Sequence, residues 1–163
     1  MDKVLSIDPM KCTGCRSCEA ACSAWKEGET NILKSRIRMV PFIDEAFFYP
    51  IVCQQCETPF CAITCPTGAL RKNTETGMVE LYREKCVGCR LCLMSCPFGA
   101  ITVLDDGLAS KCDLCDGDPM CVKFCEFEAL TYAERDDINA NKRVAVAEKA
   151  KKTFEEITYR EGL

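Results

Sequence analysis

The sequence predicts a small α+β fold in which cysteine-rich loops alternate with short β-hairpins and a helix ends the chain. Three observations support this prediction. The 163 residues include sixteen cysteines, which fall into four groups of four with none left over. Turn signals at Gly77 and at Asp106-Gly107 separate short apolar runs that are typical of strands. From about residue 141 the chain is rich in Ala, Glu and Lys and contains no cysteine.

Each group of four, called a quartet below, has three cysteines close together and a fourth after three intervening residues. The first and second quartets are Cys12, Cys15, Cys18 and Cys22, and Cys53, Cys56, Cys61 and Cys65. The third and fourth are Cys86, Cys89, Cys92 and Cys96, and Cys112, Cys115, Cys121 and Cys125. The third quartet continues into Pro97, which completes the C-x2-C-x2-C-x3-C-P run of proteins that bind two iron–sulfur clusters.

Disulfides, zinc and iron–sulfur clusters are the three explanations for so many cysteines. Zinc ribbons use two separated Cys-x2-Cys pairs rather than three cysteines in seven residues with a fourth beyond them. The chain has no histidine, which excludes Cys/His zinc fingers and Rieske centres and removes the usual acid–base catalyst. The sequence therefore predicts four 4Fe–4S clusters and a protein that transfers electrons but is not itself an enzyme.

An insertion at residues 23–52 separates the first quartet from the second, and two strands are expected in it. In the segment SRIRMV, Arg36 and Arg38 alternate with Ile37 and Met39, and FFYPIV is an apolar run that ends at Cys53. We expect these strands to pack over the cluster region. The nearby aromatic residues, Trp25, Phe42, Phe47, Phe48 and Tyr49, are expected to be core residues rather than an electron path.

The second and third quartets are each followed by a predicted hairpin, over RKNTETGMVEL and ITVLDDGLASK. The fourth cysteine of a quartet is expected to begin a helical segment, because proline after Cys65 and Cys96 is well tolerated in the first turn of a helix. Since that helix leads away from the loop, the fourth cysteine is expected to bind a different cluster from the other three, as in two-cluster proteins.

The C-terminal segment is predicted to be an amphipathic helix. Its narrow apolar stripe consists of Val144, Ala147, Ala150, Phe154 and Ile157, and Asn139 or Asn141 is the expected N-cap. The stripe packs either on the rest of this chain or on another protein, and the sequence leaves both alternatives open.

Lysine immediately precedes the first cysteine in three quartets, at Lys11, Lys85 and Lys111. These residues are either solvated surface charges or cations that compensate the negative charge of a cluster and raise its reduction potential. The formal net charge of -4 disfavours binding to nucleic acid. No apolar run is long enough to span a membrane, and free thiols suit a reducing compartment, so a cytoplasmic protein is expected.

The quartets resemble those of polyferredoxin-type subunits, which carry four clusters and accompany molybdenum and tungsten oxidoreductases. The family includes the iron–sulfur subunits of dimethyl-sulfoxide reductase and formate dehydrogenase, and the resemblance covers roughly residues 1–133. The segments KVLSIDPMKCTGCRSCEAACS and KCDLCDGDPMCVKFC are most similar to small cytoplasmic members. Those members serve tungsten aldehyde oxidoreductase-type enzymes, benzoyl-CoA reductase-type complexes and carbon monoxide dehydrogenase.

The resemblance implies two ferredoxin-like two-cluster units in one compact domain over residues 1–133, which contains the insertion at 23–52. The composition of the remaining residues, 134–163, predicts a helical tail for docking. The resemblance also implies four crossed ligand sets. The outer quartets would give site 1 (Cys12, Cys15, Cys18, Cys125) and site 2 (Cys112, Cys115, Cys121, Cys22). The inner quartets would give site 3 (Cys53, Cys56, Cys61, Cys96) and site 4 (Cys86, Cys89, Cys92, Cys65). Ser23 and Glu126 depart from the family pattern, which has proline there, without removing a ligand.

The expected function is therefore an electron relay between a tungsten or molybdenum oxidoreductase of the aldehyde oxidoreductase type and a second redox carrier. That carrier would be a flavin- or NAD-reducing subunit or a ferredoxin. One alternative is the same role beside a carbon monoxide dehydrogenase, a hydrogenase or a formate dehydrogenase. Another is a self-polymerising electron-conducting scaffold, in which C-terminal helices join copies of the protein.

Overall fold

The computed structural model describes residues 3–134, 136–138, 140, 143–144, 146–148 and 150–151. Up to residue 134 the protein contains short strands and four α-helices, connected by loops and single turns of 3-10 helix. The strands are β1 (Lys3–Ile7), β2 (Arg38–Phe42), β3 (Phe47–Ile51), β4 (Leu70–Lys72), β5 (Val79–Leu81), β6 (Ile101–Val103), β7 (Ala109–Lys111) and β8 (Leu130–Glu134). The helices are α1 (Ser17–Glu27), α2 (Phe60–Ile63), α3 (Leu91–Ser95) and α4 (Met120–Lys123).

The strands form small antiparallel sheets of two strands each. Three of them are the predicted hairpins: β2 pairs with β3 in the insertion, β4 with β5, and β6 with β7. The fourth sheet pairs β1 with β8, with Ile7 opposite Leu130 and Lys3 opposite Glu134. This sheet was not predicted, and it brings the segment before the first quartet beside the segment that follows the fourth.

The helices occupy the same place in every quartet, and this place differs from the prediction. Each helix begins one residue before the third cysteine, so Cys18, Cys61, Cys92 and Cys121 lie in the first turn. The prediction that the fourth cysteine begins a helix is wrong, because three of the helices end before that residue. Helix α3, for example, ends at Ser95 with Cys96 as its C-cap. Proline at the following position is a residue that cannot continue a helix, and the chain turns there.

The helices pack in two pairs, α1 against α4 and α2 against α3. The buried apolar residues likewise form two groups. One group contains Leu5, Ile37, Val52, Leu114 and Leu130 together with cysteines of the outer quartets. The other contains Leu70, Val79, Ile101 and Ala109 together with Cys92. The fold is therefore a small mixture of helices and two-stranded sheets whose buried interior consists partly of cysteine side chains.

The insertion packs over the outer quartets, as predicted. Ile37 and Met39 are buried and belong to the same group as Cys18 and Cys22. Arg36 lies before β2 and is also buried, because its guanidinium pairs with Glu27 at 2.5 Å. Buried and partly exposed side chains therefore alternate from residue 37 onward, and the prediction that Arg36 lies on the exposed face is wrong.

The expectation of an aromatic core in this region is only partly correct. Phe48 packs against the buried group that contains Ile37. Trp25 instead has 60% of its surface exposed, on a turn of α1 next to Ala24, which is also exposed. Phe42 and Tyr49 are exposed on the outer side of the β2–β3 hairpin.

The described residues between 136 and 151 are helical, so this helix starts earlier than residue 141. Ile138 is half-buried and lines a cavity of about 580 Å³ together with residues of β1 and β3. Of the predicted stripe, Val144, Ala147 and Ala150 are exposed. Phe154 and Ile157, like the expected caps Asn139 and Asn141, lie outside the described residues. No helix in the described part of the protein has the length and apolar character needed to cross a membrane.

Candidate iron–sulfur cluster sites

The loops of the first and third quartets repeat one backbone conformation. Gly14 and Gly88 both have positive φ, at 71° and 68°, and so do Arg16 and Arg90, at 62° and 63°. A Cβ atom at Gly14 would lie 2.5 Å from the ring of Phe48, and one at Gly88 would lie 2.9 Å from a backbone oxygen. Glycine is thus required at both positions by conformation and by space. The result is a tight loop that turns its cysteines toward one side.

At site 1 the structure brings the predicted cysteines together around one cavity. Its cysteines are Cys12, Cys15, Cys18 and Cys125. Met39 and Pro50 of the insertion and Phe124 and Phe127 beside the fourth quartet complete the wall. Three cysteines of the first quartet and one of the fourth therefore share a mostly apolar space.

Site 2 is the complementary cavity between the same two quartets. Its cysteines are Cys22, Cys112, Cys115 and Cys121. Lys26 and Arg36 also line the cavity, but each is neutralised by a carboxylate. Lys26 pairs with Asp113 at 2.6 Å, and Arg36 pairs with Glu27.

Site 4 is a third cavity of the same kind, formed between the inner quartets. Its cysteines are Cys65, Cys86, Cys89 and Cys92. Leu70, Leu81, Val103 and Ala109 of the hairpins line part of the remaining wall, and residues of the third-quartet loop, including Arg90, line another part. The wall of site 4 is therefore formed largely by the two hairpins that follow the second and third quartets.

The cysteines of site 3 interact electrostatically. Burial is the largest cause of the raised pKa of Cys56 and of Cys61, and negative charge at Cys53 and at Cys96 raises both pKa values further. Cys96 of the third quartet is therefore within electrostatic reach of Cys56 and Cys61 of the second. In the three cavities, the fourth cysteine of one quartet lies with three cysteines of its partner quartet.

The buried ligands would be protonated thiols before iron binds. Burial raises the pKa of Cys18 and Cys112 to about 12 and that of Cys61 to about 11, and it also raises the pKa of Cys121. Exposed Cys15 differs, because hydrogen bonds from Ser17 lower its pKa. Since thiolate is the form that binds metal, iron must displace protons from the buried ligands.

Backbone amides donate to three of the sulfurs. Hydrogen bonds of 3.4 Å run from Arg36 N to Cys22 Sγ, from Ala100 N to Cys96 Sγ and from Leu114 N to Cys112 Sγ. Hydrogen bonds to cluster sulfurs stabilise the thiolate and are one determinant of reduction potential.

The three lysines that precede a quartet have different environments. Lys11 and Lys85 are exposed: Lys11 lies 3.9 Å from a carboxylate oxygen of Glu128, and Lys85 lies over the ring of Tyr82. Lys111 is buried, with 6% of its surface exposed. The surface-charge interpretation therefore holds for Lys11 and Lys85 and is wrong for Lys111.

The donor set fits iron–sulfur clusters. Each group offers four thiols, which is the number of ligands that a 4Fe–4S cube requires, one for each iron atom. Among the residues that the structure describes, no three Cys, Asp or Glu side chains form a group suited to a single metal ion. All sixteen thiols are free of disulfides.

Comparison with known proteins identifies the family. Residues 44–135, which include three quartets, match the family model described as a 4Fe–4S dicluster domain, and residues 9–25 match a 4Fe–4S binding domain. These matches favour iron–sulfur clusters over zinc, and with sixteen cysteines they account for four 4Fe–4S clusters.

Several relatives are parts of oxidoreductases. The beta subunit of NADH-dependent phenylglyoxylate dehydrogenase from Aromatoleum evansii is 39% identical over 78% of this chain, and the match spans only 29% of that subunit. The polyferredoxin-like subunit of aliphatic sulfonate oxidoreductase from Pyrococcus furiosus is 40% identical, with 73% of this chain and 69% of that one covered. The B subunit of anaerobic dimethyl sulfoxide reductase from Escherichia coli is 34% identical, with 81% and 73% covered.

Further homologues are named only as iron–sulfur or electron transport proteins. The shared property of these relatives is therefore electron transfer rather than catalysis of one particular reaction. This protein belongs to the 4Fe–4S dicluster family and is an iron–sulfur electron-transfer protein whose homologues include subunits of several oxidoreductases.

Proposed function

We propose that the sixteen cysteines hold four 4Fe–4S clusters in the crossed sets defined as sites 1 to 4. The observation that carries this proposal is that three separate cavities are each lined by three cysteines of one quartet and the fourth cysteine of another. When bound, each cluster supplies reversible one-electron redox chemistry. The protein contributes the thiolates, the backbone N–H donors to sulfur and a largely apolar wall that limits access of water.

We also propose that the protein consists of two interlocked two-cluster units of the ferredoxin type. Support comes from the two helix pairs, α1 with α4 and α2 with α3, and from the division of the buried residues into two groups. Each helix carries the third cysteine near its start and leads to the fourth cysteine four residues later. One short helix therefore connects ligands of two different sites, which would hold the two clusters of a unit close together.

A pairwise substitution experiment tests the ligand sets. Cys65→Ala and Cys86→Ala are expected each to lose or alter one cluster. If both residues serve site 4, the double variant should lose no more than either single variant, about four iron atoms per molecule. The matched control is Cys61→Ala with Cys65→Ala, two cysteines of one quartet that are assigned to different sites.

The control double variant is expected to lose about eight iron atoms, since it removes ligands from two clusters. Iron and sulfide content, with electron paramagnetic resonance (EPR) of the reduced protein, provides the measurement. The proposed sets would be refuted if the Cys65/Cys86 pair lost two clusters and the Cys61/Cys65 pair lost one.

We propose that the electron-exchange partner is the catalytic subunit of a tungsten or molybdenum oxidoreductase of the aldehyde oxidoreductase type, in the cytoplasm. The partner class is supported by the relatives from sulfonate oxidoreductase and dimethyl sulfoxide reductase. The compartment is supported by the free thiols, which persist in reducing surroundings. A flavin- or NAD-reducing subunit or a ferredoxin would be the second redox partner. Proteins that co-purify with the tagged native protein, together with their tungsten and molybdenum content, test this assignment.

A further inference from the structure

Lys111 is a buried cation at the end of β7. Its Nζ donates to the carbonyl oxygens of Val79 at 2.5 Å and Cys112 at 2.6 Å, and it lies 3.4 Å from Gln55 Oε1. All three acceptors are uncharged. Among the described residues no carboxylate forms an ion pair with Lys111. The charge of Lys111 helps to lower the pKa of Glu80, but the Glu80 carboxylate accepts its hydrogen bonds from Asn73 and Tyr82.

Gln55 connects this lysine to the loop of the second quartet. The residue is buried and has a positive φ of 49°, and its carboxamide donates to Cys112 O at 2.9 Å. Its Oε1 accepts a hydrogen bond from Val79 N at 2.9 Å, so the amide orientation is fixed from both ends. Gln55 therefore ties the loop between Cys53 and Cys56, which belongs to site 3, to the first ligand of site 2.

Lys72 supplies a second cation on the same loop. Its Nζ donates to the carbonyl oxygens of Gln55 at 3.0 Å, Cys56 at 2.8 Å and Gly77 at 2.6 Å. Two of these three acceptors belong to the cysteine loop of site 3. The positive charge of Lys72 is thus held against the backbone of Cys56, which is assigned to site 3.

The two lysines lie where sites 2 and 3 approach each other. Lys111 Nζ lies 2.6 Å from the carbonyl oxygen of Cys112, a ligand assigned to site 2. It also lies 3.4 Å from the side-chain oxygen of Gln55, which stands between Cys53 and Cys56 of site 3. Ligands of site 2 and of site 3 therefore lie within the electrostatic reach of one buried ammonium group.

A buried ammonium without a carboxylate partner is unfavourable in an interior of low dielectric constant. The cost falls when negative charge is placed beside it, and four thiolates around an oxidised 4Fe–4S core carry a net charge of about -2. A fixed cation favours the reduced form of such a centre, because reduction adds one more negative charge. At sites 1 and 4 the lysines that precede the quartets, Lys11 and Lys85, are exposed to solvent, which screens their charge.

We propose that Lys72 and Lys111 are positioning residues that raise the reduction potentials of the clusters at sites 2 and 3 above those at sites 1 and 4. The inference rests on the proposed assignment of cysteines to sites. With these higher potentials, the clusters at sites 2 and 3, where the outer and inner quartets meet, hold the greater share of the electrons in the partly reduced protein.

The experiment measures the four midpoint potentials of the loaded protein by EPR-monitored redox titration. In Lys111→Gln, which removes the charge but keeps an N–H donor, two of the four potentials are expected to fall. Lys72→Gln is expected to lower at least one of the same two. Lys111→Arg retains the charge and should restore the original values. Cys61→Ser, which alters a ligand of site 3, assigns one of the affected signals.

Lys85→Gln is the matched control, because Lys85 holds the same place before its quartet as Lys111 but is exposed. The four midpoint potentials of the Lys85→Gln variant should equal those of the unsubstituted protein. Unchanged potentials in loaded Lys111→Gln, or an equal fall in all four, would overturn the inference. If Lys111→Gln does not load, unchanged potentials in Lys72→Gln overturn it. Iron and sulfide contents near the full complement show that the cluster sites themselves are intact.

Discussion

Glu19 is a buried carboxylate next to a ligand of site 1. Only 3% of its surface is exposed, and one oxygen accepts a hydrogen bond from Met39 N at 3.0 Å. The other oxygen has no hydrogen-bond partner among the described residues and lies 3.7 Å from Arg16 Nε. Burial is the largest cause of the raised pKa of Cys18, and the negative charge of Glu19 raises it further. Site 1 therefore has a buried anion beside it, in contrast to the buried cation Lys111 near sites 2 and 3.

We predict that Glu19→Gln raises the midpoint potential of the site 1 cluster. The amide keeps an oxygen for the Met39 N–H but removes a negative charge that opposes reduction. A unit charge in partly buried surroundings is worth about 1–2 kcal/mol, or roughly 50–100 mV for one electron. Redox titration of the loaded variant gives the shift.

Glu128→Gln serves as the control for this prediction. Glu128 is also near site 1, through its contact with Lys11, but its side chain is 80% exposed. Solvent screens such a charge, so the potential should change little. Equal shifts in the two variants would show that burial of Glu19 has no special effect on site 1.

The sequence identifies every cysteine ligand but cannot rank the charged residues around them. Lys11, Lys85 and Lys111 stand at equivalent places before their quartets, yet only Lys111 is buried. Its environment depends on Gln55 and Val79, which are 56 and 32 positions away along the chain. Gln55 itself has no sequence signal beyond its place between two cysteines, so its role emerges only from the fold.

Among the secondary-structure elements, local signals predicted the hairpins and missed the strand pair of longest range. Gly77 and Asp106-Gly107 mark turns between adjacent strands, and these hairpins form as expected. The β1–β8 sheet joins segments separated by more than one hundred residues, which no turn signal can indicate. Helix α1 continues past Cys22, where Ser23 replaces proline, and ends at Glu27 with Gly28 as its C-cap at a φ of 74°.

The helical residues described between 136 and 151 lead to a prediction about docking. Val144 and Val146 are 57% and 67% exposed, although both are strongly apolar. We propose that they contact the catalytic partner subunit. Truncation after residue 140 should leave the cluster content unchanged, because all cysteines and β8 precede it. It should weaken the complex roughly tenfold or more, since each buried valine contributes about 1.5 kcal/mol.

Binding of the truncated and full-length proteins to the isolated catalytic subunit, measured by titration calorimetry, tests this prediction. Val144→Ser with Val146→Ser should reproduce most of the loss while keeping the full length. Equal affinity of all three proteins would contradict partner docking. If the full-length protein instead grows in light scattering with concentration and the truncated one does not, the helix joins copies of this protein.

At the scale of the whole molecule, the described sheets have only two strands each and three of the four helices have five residues or fewer. Isolated two-stranded sheets are marginally stable in water, and helices of this length do not form alone. Cys18, Cys22, Cys92 and Cys121 take places in the buried interior that apolar side chains fill in other small domains. Cluster ligation therefore has to supply a large part of the folding free energy.

We predict that removal of iron abolishes cooperative folding of the whole protein. The proposed crossed ligand sets would connect the first quartet with the fourth and the second with the third, so loss of the clusters would remove most of the long-range constraints at once. Circular dichroism of the chelator-treated protein, kept anaerobic and reduced, should show loss of a sharp thermal transition. Reconstitution with iron and sulfide should restore that transition together with the visible absorption. A cluster-free protein that still unfolds cooperatively near the original temperature would show that the two apolar groups and the β1–β8 sheet suffice to hold the fold.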